Sequence, residues 1–82
     1  MLVLKVKPGE TVRVGPDVAI YYTPTRRLEV VTERHVAYGP DAALIGGTIL
    51  VKPLDGWRMS IEAPRSVLIL RDELIARAAR NA

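Results

Sequence analysis

Two neighbouring strand-like segments in the second half of the chain lie on either side of a tight-turn dipeptide, and the second of them alternates apolar and polar residues. In WRMSIEA, the apolar residues Trp57, Met59 and Ile61 occupy every second position, and the run TILVKPL ends just before Asp55-Gly56. Asp-Gly between two such runs is a strong short-range signal for a β-hairpin. The pattern therefore predicts two antiparallel strands, with these three side chains on one face of the sheet.

Period-two alternation, broken by Gly and Pro turns, continues through most of the remaining chain. Further strands are predicted in LVLKV, TVRV, VAIYYT and LEVVTE, the last two joined as a hairpin through PTRR. The C-terminal segment DELIARAAR differs, because it consists almost wholly of good helix formers and carries an apolar stripe at Leu74, Ile75 and Ala78. We predict a mainly β fold with a short C-terminal helix.

The chain is short for a protein that must bury a core. At 82 residues it forms one domain, and a chain of this size buries only about 60% of its unfolded surface. It has no cysteine, so disulfides cannot add stability, which fits a reducing cytoplasm. With 49% hydrophobic residues, oligomerisation is the remaining way to bury more apolar area.

Several function classes find no support in the sequence. One histidine and no cysteine leave no metal cluster, and no nucleophile–base pair or carboxylate dyad emerges, so we expect neither a cofactor nor an enzyme. The N-terminal apolar run is too short for a signal peptide, and no stretch reaches the about 20 residues that a bilayer span needs. The net charge of +3 leans towards a polyanionic partner.

Both ends of the chain resemble the carbon storage regulator family (CsrA/RsmA), small bacterial RNA-binding translational regulators. MLVLKVKPGETVRVG follows the family pattern of Met-Leu-apolar-Leu, basic residues and Gly-Glu-x-apolar-x-apolar-Gly. RMSIEAPRSVLILRDELIARA follows its strand, its Ala-Pro-basic corner, its apolar strand and its Arg-acidic-Glu helix start. The resemblance implies a single RNA-binding domain over residues 1–82.

The middle of the chain departs from the family, whose members usually run from the first turn directly into one hairpin. With TILVKPL and WRMSIEA taken as that hairpin, the extra material spans about residues 17–46 and is predicted to hold a β-hairpin followed by a short irregular or helical piece. GPDVAI at 15–20 and GPDAAL at 39–44 share a turn followed by an apolar run. Two explanations of this similarity remain open: two ordinary Pro-Asp turns, or a partial duplication.

The run Val67–Leu70 does not alternate, and a continuously apolar strand is typical of one that is buried on both faces. In the family, the first and last strands of one subunit interleave with those of its twin. The resemblance therefore implies an intertwined, strand-exchanged homodimer that forms a small β-sandwich or barrel. Such a dimer buries apolar area, at about 25 cal/mol per Å², that a monomer would expose.

The resemblance also implies a composite RNA site formed by the first and last strands. Its ligand is a single-stranded or hairpin-loop GGA motif in an mRNA or small regulatory RNA, whose occupation alters translation or transcript stability; a protein antagonist is a further possible partner. Arg71 matches the family's principal arginine, and an ion pair with Glu73 or another acid is its alternative role. The residues that match site positions are Leu4, Lys5, Lys7, Ala63, Pro64, Arg65, Val67, Ile69, Leu70 and Arg71.

Two positions depart from the family's site. Val6 stands where the family commonly has arginine, and Leu70 stands where many members carry histidine. The loss of a phosphate contact lowers both the affinity for RNA and its salt dependence. Four arginines elsewhere are candidates to compensate: Arg13, Arg26, Arg27 and Arg34.

Two rival interpretations remain open. One is a related dimer that serves a structural role or a protein partner and has lost or changed its RNA specificity. The other is a generic nucleic-acid-binding β domain without preference for GGA. His35 is predicted to be a surface strand residue, and the aromatic residues are predicted to lie in the core or an interface: Tyr21, Tyr22, Tyr38 and Trp57.

Overall fold

The computed structural model describes residues 1–71, which form antiparallel β-strands arranged in two sheets. The strands are β1 (Leu2–Lys5), β2 (Val12–Val14), β3 (Val18–Tyr22), β4 (Leu28–Val31), β5 (Val36–Tyr38), β6 (Ala43–Ile45), β7 (Ile49–Leu54), β8 (Arg58–Glu62) and β9 (Ile69–Arg71). The five-stranded sheet has the order β1-β8-β7-β6-β5, and the four-stranded sheet has the order β4-β3-β2-β9. The predicted mainly β fold is confirmed, and the predicted C-terminal helix lies outside the described residues.

Both predicted hairpins are present. β7 and β8 pair around the Asp55-Gly56 turn, and Met59 and Ile61 are buried as the alternation predicts. β3 and β4 pair as the second hairpin. The prediction of an irregular or helical piece after it was wrong, because β5 and β6 form another hairpin over residues 36–45. Each of these two strands has only three residues, too few for a period-two pattern to stand out.

Both sheets turn their apolar faces towards one common core. Because the inner strands of each sheet contribute to it, neither sheet buries its apolar face without the other. Leu4, Val67 and Ile69 pack against this core from its margin, which ties the two strands of the predicted site to the same scaffold. The core residues are Val6, Val12, Val14, Val18, Ile20, Tyr22, Ile45, Ile49, Val51, Met59 and Ile61.

The same three-stranded backbone unit occurs twice. The pairing of Val12 with Ile20 between β2 and β3 recurs between β6 and β7 as residue 43 with 51. The pairing of Tyr22 with Leu28 between β3 and β4 recurs between β7 and β8 as residue 53 with 59. Adding 31 to both residue numbers of every pair in the first unit gives a pair of the second. The register of the three strands is therefore conserved between the two units.

Local backbone conformation follows the same spacing. Gly15 and Gly46, one in each unit, have positive φ angles of 67° and 59°. Among the described residues, Arg26 and Trp57 are the two non-glycine residues with a positive φ, at 65° and 62°. Each of these pairs is again 31 residues apart, so each turn keeps one position of positive φ in both units. The turns differ elsewhere, because Gly47 and Gly56 have φ angles of 73° and 71° whereas their counterparts Pro16 and Thr25 have no positive φ.

The two units exchange their last strands. We call residues 12–38 (β2–β5) the first half and residues 43–71 (β6–β9) the second half. β5, which ends the first half, pairs with β6 of the second half, and β9, which ends the second half, pairs with β2 of the first. The matching hydrogen bonds run from the Gly15 N–H to the Leu68 carbonyl, at 2.7 Å, and from the Gly46 N–H to the His35 carbonyl, at 2.8 Å. Interleaving thus takes place between two halves of one chain.

This arrangement bears on the strand-exchanged homodimer that the resemblance implies. β1 pairs with β8 and β9 pairs with β2 inside a single chain, so neither terminal strand needs a second chain to find a partner. Exchange of strands between two chains stays a prediction. In the part of the chain that the structure describes, no helix has the length and apolar character that a membrane crossing requires.

The two Gly-Pro-Asp segments do not lie at equivalent positions of the repeat. Residues 15–17 lie between β2 and β3, whereas residues 39–41 lie between β5 and β6. The two copies of the tripeptide therefore occupy turns that are not equivalent. The partial duplication based on this tripeptide is therefore not supported, and the backbone repeat instead aligns Gly15 with Gly46.

β9 differs from the predicted strand buried on both faces. Among the described strands it pairs only with β2 and so forms a sheet edge. Its three residues are half-buried, and Leu68, just before it, is 66% exposed. An edge strand has a hydrogen-bonded neighbour on one side only. The core covers one face of β9, and its other side remains open to solvent.

Candidate nucleic-acid interface

The predicted site residues of β1 lie at the edge of the five-stranded sheet. Leu4 is opposite Met59 and packs against the core, while Lys5 is exposed and opposite Arg58 of β8. Like charges directly opposite each other on neighbouring strands are unfavourable, so the Lys5–Arg58 pair makes a local positive potential that suits an anion.

Arg58 is a candidate site residue that the sequence analysis missed. Its side chain is oriented by a 3.0 Å hydrogen bond from Nε to the backbone carbonyl of Asp55. The alternation in WRMSIEA already places Arg58 on the outer face of its strand. Its position beside Lys5 depends on the register of β1 with β8, which joins opposite ends of the chain and leaves no local sequence signal.

Val6, where the family commonly has arginine, is a core residue. Its side chain is fully buried, and its N–H donates a 2.7 Å hydrogen bond to the carbonyl of Trp57. It therefore has a structural role and no access to a phosphate. Lys7, the next predicted contact, is exposed in the loop after β1, where its N–H donates to Oε1 of Glu10 at 2.7 Å.

The residues of β9 divide between the two faces of the four-stranded sheet. Arg71 pairs with the buried Val12, so its side chain leaves the strand on the core-facing side of the edge, where it is half-buried. Leu70 points to the outer face, opposite Arg13 of β2. An arginine thus lies beside the position at which many family members have histidine.

Val67 and Leu70 line a cleft of about 400 Å³ that lies against the turn between β2 and β3. Val14 and Ile49 contribute further apolar lining. Leu68 belongs to the same lining, and its exposed side chain therefore faces the open space of the cleft. Most of the surface of this cleft is therefore apolar.

Two arginines also line this cleft. Arg13 reaches it from β2, and Arg34 reaches it from the connection between β4 and β5. The Arg34 Nε lies 2.7 Å from Oδ2 of Asp17, and this ion pair holds the guanidinium group in place. Both arginines are among those proposed to compensate for Val6, and the cleft brings them next to Val67 and Leu70.

The corner between β8 and β9 positions Val67. Ala63 packs against the core, Pro64 and Arg65 are exposed, and the Val67 N–H donates a 2.9 Å hydrogen bond to the Pro64 carbonyl. This turn directs the chain from the five-stranded sheet into the four-stranded one. Arg65 lies at its exposed tip, a position from which it can meet a ligand in the solvent.

The predicted residues therefore form two groups instead of one continuous site. Leu4 and Lys5 lie with Arg58 at the edge of the five-stranded sheet, while Val67 and Leu70 lie in the cleft beside the four-stranded sheet. Both groups rest on the common core. Each group combines predicted residues with arginines that come from other strands.

The aromatic residues have different environments. Tyr22 is a core residue, and its ring meets that of Trp57 edge-on, with centroids 5.8 Å apart and planes at 71°. Trp57 is half-buried under the guanidinium of Arg26, which lies 5.1 Å from its ring centroid. Tyr38 is largely exposed on the edge strand β5 and so lies outside the core, while an interface position for it stays a prediction. His35 is exposed as predicted, but it precedes β5 and does not belong to a strand.

Tyr22 makes the stability of the fold depend on pH in the alkaline range. Its hydroxyl donates to the Arg58 carbonyl, and burial raises the pKa of Tyr22 above the usual 10.0, an effect that a backbone contact with Leu54 partly opposes. Above pH 10 the unfolded chain therefore loses this proton while the folded chain retains it, so stability falls as pH rises. We expect denaturant midpoints of the wild type to fall more steeply above pH 10 than those of Tyr22→Phe. Parallel profiles of the two proteins would contradict this assignment.

Comparison of the chain with protein-family models, curated proteins and solved structures gave no match. The fold itself defines the class of the protein as a small antiparallel β protein with two sheets. Within residues 1–71, no three His, Asp or Glu side chains come together in a way that could hold a metal ion.

Proposed function

We propose that this protein is an RNA-binding post-transcriptional regulator that recognises GGA-containing single-stranded or hairpin-loop segments of mRNA. Its sites are the cleft beside β9 and the exposed end of β1. The proposal combines the resemblance of both chain ends to the carbon storage regulator family with the physical character of these two surfaces. The bacterial cytoplasm is the compartment that this function implies.

The cleft is the observation that carries the proposal. Sequence-specific RNA recognition targets unpaired bases, which pack on apolar or planar side chains and present their edges to hydrogen-bonding groups. Val67 and Leu70 supply apolar walls, and Arg13 supplies a guanidinium group beside them. Arginine is suited both to phosphates and to the paired acceptors of a guanine edge. A cleft of about 400 Å³ offers room for an unstacked base.

Lys5 and Arg58 supply the electrostatic part of the interface. Their two positive charges lie opposite each other on adjacent strands and repel each other. A phosphate placed between them removes this repulsion and forms charge-assisted hydrogen bonds. Phosphate contacts of this kind position an RNA, while contacts to base edges specify its sequence. Arg58 thus takes over the phosphate contact that Val6 cannot make.

The repeat suggests one RNA site per chain. Aligning β5 with β9 through their equivalent pairings makes Ala37 the counterpart of Leu70 and Tyr38 the counterpart of Arg71. The first half therefore lacks both side chains at the positions that correspond to the proposed site. β1, moreover, covers the edge of β8 alone. We expect titrations to give one RNA bound per chain.

A binding titration with a GGA hairpin and a hairpin in which the guanines are replaced tests this function. We expect replacement of the guanines to weaken binding about tenfold or more, since each wrong base contact costs about 1–3 kcal/mol. Arg13→Ala is expected to weaken binding to the GGA hairpin to a similar degree, because Arg13 lines the cleft. Arg71→Ala is expected to do the same, because Arg71 matches the principal arginine of the family that the chain ends resemble. Lys5→Ala should lower affinity for both hairpins alike and reduce the slope of log affinity against log salt by about one.

Lys52→Ala is the matched control, because Lys52 is exposed on β7, two strands away from β1. It removes the same charge and should leave both the affinity for each hairpin and the salt slope unchanged. Binding that depends on salt and ignores the guanines would replace the proposal with a generic nucleic-acid-binding domain. No binding to either hairpin would favour the structural or protein-partner interpretation.

A further inference from the structure

The repeat exposes an open position beside β4. β8 is flanked by β7 on one side and by β1 on the other, whereas β4, its counterpart, is flanked by β3 alone among the described strands. Residues 39–42 join β5 directly to β6, so the second half has no strand that corresponds to β1. One strand position of the repeated architecture is therefore empty.

Side-chain burial reflects the missing strand. Met59 and Ile61 of β8, which lie opposite Leu4 and Leu2 of β1, are at most 1% exposed. Their counterparts in β4, Leu28 and Val30, are only half-buried although they pack against the same core. Val31, on the other face of β4, is 57% exposed. A strand along this edge would complete the burial of both apolar side chains.

The edge of β4 has only part of the usual protection against strand pairing. Natural sheets guard their edge strands with short length, charged residues (lysine above all), proline, bulges or a covering segment, and the one charge on β4 is that of Glu29. β4 has the sequence LEVV, with neither lysine nor proline, and its outer residues are Glu29 and Val31. A short domain gains most from added burial, so an edge of this kind favours pairing with another strand.

We propose that β4 pairs with β4 of a second copy of this chain, which joins two four-stranded sheets into one continuous sheet. An antiparallel pair of identical strands is related by a two-fold axis, so each copy fills the open position of the other. This interface differs from an exchange of terminal strands, because β1 and β9 keep their partners within each chain. It is independent of RNA binding.

Charge selects the register of this pair. Pairing centred on Val30 sets Glu29 of one copy opposite Val31 of the other, and it brings Arg27 to the level of Glu33. Pairing centred on Glu29 would place two carboxylates directly opposite each other, which is unfavourable. In the register centred on Val30, residues 29–31 of the two strands pair with one another and Leu28 lies opposite Thr32, which keeps Leu28 and Val30 of both copies on the core side.

Two substitutions at one position test the interface and its register. Val31→Glu places a carboxylate opposite Glu29 of the second copy, and sedimentation equilibrium should show dimerisation weakened about tenfold or more. Val31→Lys places an ammonium group there instead and should leave the dimer at least as tight as in the wild type. Since Val31 is already exposed, neither change disturbs the core, and circular dichroism spectra should match that of the wild type.

Leu44→Glu is the control for added negative charge. Leu44 is 38% exposed on β6, a strand with neighbours on both sides, so this variant should dimerise as the wild type does. A wild-type protein that stays monomeric at every concentration would overturn the proposal. So would a Val31→Glu variant that dimerises as tightly as the wild type, or Lys and Glu variants that weaken the dimer equally.

Discussion

Ile20→Ala is expected to lower the free energy of unfolding by about 2–5 kcal/mol, the range for removing a large aliphatic side chain from a packed core. Ile20 is completely buried at the centre of β3, and it belongs to the core that both sheets share. It is also paired with Val12, whose strand carries β9 on its other side. A cavity here therefore weakens the scaffold of the proposed cleft as well as the core.

Denaturant unfolding followed by tryptophan fluorescence measures this loss, since Trp57 is the one tryptophan of the chain. Ile20→Val should cost only about 0.5–1.5 kcal/mol, because it removes one methylene group. Leu44→Ala, at an exposed position, should stay within about 0.5 kcal/mol of the wild type. Equal losses for Ile20→Ala and Leu44→Ala would show that the two sheets do not enclose a common core.

Trp57→Ala is expected to destabilise the fold by about 2–3 kcal/mol, somewhat below the range for a fully buried aromatic residue. The substitution removes the ring that packs between Tyr22 and Arg26. It also leaves a side chain at a φ of 62°, a left-handed conformation that costs a non-glycine residue about 1–2 kcal/mol. The wild type and Trp57→Ala both bear this strain, so the expected loss of stability comes from packing alone.

Trp57→Gly separates packing from backbone strain. Glycine loses the same ring contacts but adopts the left-handed conformation freely, and this gain outweighs its larger entropy in the unfolded chain. We expect Trp57→Gly to be more stable than Trp57→Ala by about 0.5–1 kcal/mol. Asp55 is the matched control in the same turn, since its φ is not positive. There the glycine variant should be the less stable one, and the same order at both positions would contradict the argument.

Local pattern was sufficient to predict most of the strands. The alternation around Asp55-Gly56 predicted β7, β8 and the burial of Met59 and Ile61, because alternate side chains of a strand face opposite sides. It failed for β5 and β6, whose three-residue strands are too short to establish a period. Within the single chain β9 is half-buried and Leu68, just before it, is exposed, so burial on both faces in a dimer stays a prediction.

The sequence predicted individual residues of the candidate site, but it did not predict which of them lie next to one another. Lys5, Val67 and Leu70 were named from the resemblance of the chain ends to a known family. Arg58 beside Lys5, and Arg13 beside Leu70, arise from strand registers that join distant parts of the chain. Such registers are set by the sum of many contacts in the core, and no short segment records that sum.

The sequence by itself determined most of the strands and the facing of their side chains, because turn residues and period-two alternation act over a few neighbouring positions. The tertiary structure decided which strands meet. It joined β5 to β6 and β9 to β2 between the two halves, placed Lys5 opposite Arg58, and left the edge of β4 open. The physical reason is that the pairing of strands depends on burying the apolar faces of both sheets together, which is a condition on the whole chain. The two units, 31 residues apart, meet this condition with almost no shared sequence.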